Sequence, residues 1–174
     1  MALIGALRDL VEHDRARLLW AVGQKQEAIR AQRYALRLAP PDRRSFHGMA
    51  LAAFLFFCGD LESALRAAVK AERWSHRDRA LVRAFRALIE LSLNRTPEEI
   101  EEIQRALFKS RLREGYGRYV LGMIAYRLGN RARAVKHLRA FLHRNAKISR
   151  AKEITLKEEL ECARSILSEV EGVS

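Results

Sequence analysis

Residues 115–145 read GYGRYVLGMIAYRLGNRARAVKHLRAFLHRN. Before Gly129-Asn130, the apolar residues Tyr119, Val120, Met123, Ile124 and Tyr126 recur at spacings of three and four. After it, Ala134, Val135, Leu138, Phe141 and Leu142 do the same. Recurrence at that interval puts apolar side chains on one face of a helix. Gly129 can take the left-handed conformation that closes a helix, and Asn130 can cap the next one. The stretch is therefore expected to form two helices joined by a very short turn.

The rest of the chain repeats this unit. With Gly129 as the mark, upstream equivalents are Asn94, Gly59 and Gly23, spaced 35, 35 and 36 residues apart. Five residues after three of the marks stand the small residues Ala28, Ala64 and Ala134. Twelve residues after three of them stand Ala35, Ala71 and Ala106. Ahead of the turns, Ala16, Leu51-Ala52 and Leu121-Gly122 fall at matching distances. Small residues at fixed places in both helices let the pair approach closely. Such repetition is the signature of a stacked repeat array.

This pattern resembles the tetratricopeptide repeat (TPR), with its small pair in the first helix, its Gly-Asp or Gly-Asn turn and its small residues in the second. Pro40 closes the first unit in register. The resemblance implies an all-α, TPR-like α-solenoid of four helix-turn-helix repeats in a single domain spanning residues 1–174. The repeats are placed at about 2–40, 42–74, 76–110 and 113–145. The third departs most. Glu99 or Ile100 stands where a small residue belongs, and Thr96-Pro97 lengthens the turn. A last helix over residues 149–171, with Ile154, Leu156, Leu160, Ala163, Ile166 and Leu167 as its covering side, reads as the cap such arrays need.

Helix ends are marked too. Asp42 or Ser45 is placed to cap the first helix of the second unit, and Asp60 to cap its second. Ser75-His76-Arg77-Asp78 has the form of a capping box. Thr96-Pro97-Glu98-Glu99 predicts a helix start, with Thr at the cap, Pro at the first position and carboxylates at the positive dipole end.

Charge is uneven. Residues 103–152 carry 14 Lys and Arg against the single Glu114, a net of +13, whereas residues 153–174 carry a net of −4. A basic surface of this density attracts polyanions. Arg111, Arg113, Arg118, Arg131, Arg133 and Arg139 are its candidate anion contacts.

Chemistry is sparse. His13, His47, His76, His137 and His143 include no pair at helical metal-site spacing. No Cys-x-x-Cys, phosphate-binding glycine loop or nucleophile elbow occurs. The reading is a non-enzymatic protein with no catalytic residues, no metal and no cofactor. Its longest apolar run, residues 49–58, suits a buried helix rather than a membrane span. Cys58 and Cys162 read as reduced thiols of a cytoplasmic protein.

In arrays of the resembled family, first helices line an inner groove. The matching positions here include Arg17, Trp20, Phe46, Met49, Phe56, Tyr116, Tyr119, Met123 and Tyr126. Aromatic and Met side chains suit a peptide-accepting surface. The expected function is a protein-interaction scaffold holding a peptide or protein partner in that groove. The alternative is sequence-independent binding of a nucleic acid or acidic protein by the 103–152 surface. An apolar stripe at the N-terminus, including Leu3, Leu7 and Leu10, predicts a weak homodimer.

Overall fold

The computed structural model describes residues 7–111 and 114–172. Among them there is no strand. The α-helices are α1 (Arg8–Ala21), α2 (Lys25–Leu38), α3 (Arg44–Phe57), α4 (Leu61–Trp74) and α5 (Arg79–Ser92). They continue with α6 (Ile100–Lys109), α7 (Tyr116–Arg127), α8 (Arg131–Arg144), α9 (Arg150–Thr155) and α10 (Lys157–Glu171).

Four of the turns are built alike. The backbone is left-handed at Gly23 (φ 84°), Gly59 (φ 80°), Asn94 (φ 59°) and Gly129 (φ 75°). At each, that residue's N–H donates to the carbonyl three back, and the next residue's N–H to the carbonyl five back. This double closure satisfies carbonyls that the helix end would otherwise orphan. Asp60 and Asn130 then cap the following helices, accepting from the N–H of Ser63 and Arg133 at 3.1 Å each.

Close approach follows from the small residues. Seven positions before the marks, Ala16, Ala52 and Ala87 have no exposed surface, and Gly122 is likewise buried. A Cβ built on Gly122 would lie 2.6 Å from a Leu138 methyl carbon. Ala28, Ala64 and Ala134 are fully buried opposite them.

The chain divides into two compact units, Met1–Val82 and Arg83–Ser174, with the border inside α5. In the first unit α1 packs on α2, α3 on α4, and α2 against α3. In the second, α7 packs on α8, α6 against α7, and α10 against α8.

Several expected helix ends come out differently. The second helix of the third hairpin begins at Ile100, not at Thr96-Pro97. Glu99 and Glu102 are engaged by Arg83 of α5 instead. The helix is short, and its buried residues are Ile103 and Leu107, while Ala106 faces solvent. Ser75 does not serve α5. Its hydroxyl donates to the Glu72 carbonyl at the end of α4, at 2.7 Å. Neither Asp42 nor Ser45 caps α3, which follows a 3-10 turn over Pro41–Arg43. Ser45 donates to the Asp78 carboxylate at 2.7 Å, tying the start of α3 to the end of this unit. The last helix starts at Ser149 as read, but breaks at Leu156. Leu160, Ala163, Ile166 and Leu167 beyond the break are buried, while Ile154 before it is 40% exposed.

Candidate functional site

In the first unit, the first-helix positions of α1 and α3 lie on a partly open face. Phe46 is 46% exposed, with its ring edge-on to His13 at 4.8 Å. Met49 and Phe56, further along α3, are half-buried. Arg17 is half-buried and pairs with Asp14 at 3.5 Å. Trp20 is nearly covered, because it stacks on Phe54 of α3 with centroids 4.7 Å apart. It therefore offers an edge rather than a face.

The corresponding positions of the second unit are more closed, with Tyr116 and Tyr126 half-buried. Tyr119 has no exposed surface and Met123 only 3%. Helix α10 lies over them. The Cys162 thiol meets the Met123 sulfur at 3.8 Å, and the Tyr126 hydroxyl donates to the Glu169 carboxylate at 2.9 Å. Tyr116 is half-buried beside Glu159. Helix α10 packs on α8, and its side chains reach the large residues of α7 from there. The chain's own last helix thus takes the place that the groove reading reserved for a ligand.

This contact holds a buried acid. Glu159 is 7% exposed, and burial pushes its pKa up to about 7. The Tyr116 hydroxyl lies close enough to oppose that shift slightly, yet without hydrogen-bond geometry. Glu158, next to it, adds a small upward push. A carboxyl whose folded pKa exceeds its unfolded value of 4.5 contributes stability that is complete below pH 4.5 and is lost as pH rises through 7. His137 on α8 acts oppositely. Burial and then the Arg118 charge lower its pKa to about 4, so its contribution is lost as pH falls from 6.5. Glu159→Gln should therefore flatten the fall in stability between about pH 4.5 and pH 7 and leave the slopes outside that window unchanged. Urea unfolding of both proteins across that range checks this, and superimposable pH profiles refute it.

The sequence reading missed a polar chain inside the first unit. Asp9 of α1 is 2% exposed and accepts from Arg43 Nε at 2.7 Å and Nη2 at 2.9 Å. His47 Nε2 donates to the same carboxylate at 2.9 Å. Gln32 of α2 donates to the His47 carbonyl at 3.0 Å, and its side-chain oxygen accepts from His13 Nδ1 at 2.8 Å. One continuous path thus joins α1, α2 and α3. The Arg43 guanidinium is the main reason the Asp9 pKa falls to about 2. Burial lowers both His13 and His47, so each is held neutral, which fits the donor and acceptor roles above. His47 has no exposed surface for a substrate to touch. The arrangement works as a clasp. A spacing test along one helix could not find it, because its members come from three elements.

Of the basic candidates, Arg111, Arg131, Arg133 and Arg139 are exposed. Arg118 is drawn inward, bonded to Glu114 at 3.1 Å and to His137 Nδ1 at 3.2 Å. Arg113 lies outside the described residues, as does Leu3. Leu7 is exposed and Leu10 half-buried. Cys58 and Cys162 are thiols rather than a disulfide. No helix is long and apolar enough to cross a membrane among the described residues. Among them, too, no three His, Cys, Asp or Glu side chains converge as metal ligands.

Fold and site together define an all-α protein of consecutive helical hairpins, with one aromatic face open and another covered by its own C-terminal helix. No protein-family model matches the chain, and no curated protein sequence matches it.

Proposed function

We propose that the protein is a non-catalytic, TPR-like adaptor that holds a peptide or protein segment against the first-helix face of α1 and α3. The observation that carries this is the exposed Phe46 with Met49 and Phe56 along the same helix. An aromatic side chain on a rigid helix is an efficient contact, since few rotatable bonds are fixed per area buried, and a flexible Met beside it adapts to the partner's shape. The identical left-handed turns at intervals of 36, 35 and 35 residues support the repeat-array reading. Thiols at both cysteines suit a reducing compartment such as the cytoplasm.

A second reading is sequence-independent binding of a polyanion by residues 103–152, where Glu114 is the one acidic residue. It is favoured by the exposure of Arg111, Arg131, Arg133 and Arg139. Affinity for phosphates falls steeply with salt, because counterions are released on binding.

One experiment separates them: affinity capture from native lysate at two salt concentrations, with and without nuclease. The adaptor reading expects a partner retained at both salts and after nuclease. It expects Phe46→Ala with Phe56→Ala to reduce retention at least tenfold while helicity by circular dichroism is unchanged. Retention that survives this double change removes the face on α3 from the proposal. Retention that vanishes with salt or nuclease favours the basic surface.

A further inference from the structure

Helix α1 carries a second apolar face, turned away from the side that packs into the unit. Leu7 is 45% exposed, Val11 64%, Leu18 66% and Val22 71%. The steps between them are four, seven and four residues. At about 100° per residue, all four side chains fall within about 60° of arc. The inward side of the same helix is made by Asp9, His13, Ala16 and Trp20.

We propose that this face is a self-complementary contact for a second copy of the chain, with the two α1 helices antiparallel about a two-fold axis between Asp14 and Arg15. The spacing reads the same from either end. An antiparallel neighbour therefore sets Leu7 level with Val22 of the second copy and Val11 level with Leu18, giving four apolar layers without a mismatch. Two-fold symmetry requires such a self-matching patch.

The charges fit the same arrangement. Glu12 and Arg15 flank the stripe on one side, paired at 3.4 Å. Asp14 and Arg17 flank it on the other, paired at 3.5 Å. A two-fold axis perpendicular to antiparallel helices lays each flank against the same flank of the other copy. Glu12 then reaches Arg15 of the second copy, and Asp14 reaches Arg17, in both directions. The two Asp14 and two Arg15 side chains near the axis are each bracketed by an opposite charge, and the exposed Arg8 leaves the Glu12 flank with one positive charge per copy. A parallel pair sets unlike flanks together and aligns the helix dipoles unfavourably. One helix per copy buries well under the roughly 800 Å² per partner of a standard interface, so the dimer is weak and concentration-dependent.

Sedimentation equilibrium of the full chain over a concentration series tests the association. The expected mass rises from 20.0 kDa towards twice that value. Leu18→Glu, on the exposed face, should weaken dimerisation at least tenfold with helicity unchanged. A mass that stays monomeric at every concentration overturns the proposal, and so does a dimer that survives Leu18→Glu. Orientation is read by oxidative cross-linking with Cys58→Ser and Cys162→Ala in place. Mixing Leu7→Cys chains with Val22→Cys chains should give the mixed disulfide, and neither chain alone should couple efficiently. Coupling of Leu7→Cys to itself signals a parallel pair and overturns the two-fold arrangement.

Discussion

Asp9→Ala is expected to cost about 3 kcal/mol of stability at neutral pH, a large share of what a small domain has. The substitution removes one carboxylate but affects three helices. His47, with no exposed surface, loses the acceptor of its Nε2 proton. A buried donor left without a partner costs about 1–3 kcal/mol, and hydrogen bonds to a charged group are the stronger kind. Arg43 loses its bidentate partner but reaches solvent, so it adds little to this cost, whereas Arg43→Ala should itself be costly because it leaves the buried Asp9 carboxylate without its main counter-charge. The loss should also be pH-dependent. Asp9 is held near pKa 2, below its ordinary 3.8, so its contribution is present above that value and vanishes as pH falls through 2. Wild type and variant should therefore converge in acid. Urea unfolding at pH 7 and at low pH measures both effects. A cost under about 1 kcal/mol at neutral pH would show that the clasp contributes nothing beyond its geometry.

Gly48→Val should be comparably damaging, at about 3 kcal/mol, because it overfills the seam between α3 and α4. A Cβ at position 48 lies 2.9 Å from the Ala71 Cβ and 3.3 Å from its Cα. Ala71 has no rotamer to turn away, so the helices themselves must part. Gly48→Ala meets the same obstacle, but Ala gains about 1 kcal/mol of helix propensity over Gly, so its net effect is smaller. Ala71→Gly removes the atom in the way and should recover much of the packing loss of Gly48→Ala. Thermal unfolding of the two single variants and the double variant decides this. Additive effects would mean that the two positions do not touch in solution.

The turns were legible because their chemistry is local. A left-handed residue must be Gly or, at lowest cost otherwise, Asn, and Gly23, Gly59, Asn94 and Gly129 obey this at regular intervals. The alanines facing the seams were legible for the same reason, since close approach selects small side chains. What escaped depends on partners distant in the chain. Asp9 and His47 are 38 residues apart, and Tyr126 and Glu169 are 43 apart. Nothing in the neighbourhood of Tyr119 announces that α10 will lie on it. Thr96-Pro97 misled because a sound local start signal lost to Arg83, which holds Glu99 and Glu102 from the preceding helix. The third repeat is also where neither a turn glycine nor a small residue five places later constrains the chain.

The turn glycines differ in kind from Gly48 and Gly122. A Cβ added at Gly23, Gly59 or Gly129 would meet nothing within 4 Å. Room is plentiful there, and only the sign of the backbone angle excludes an ordinary residue. What these three positions select is therefore handedness and not volume. A D-alanine has the backbone preference that these positions select, and its fewer accessible conformations in the unfolded chain would favour the folded one. At Gly48 and Gly122, where the obstruction is bulk, neither mirror form has that advantage.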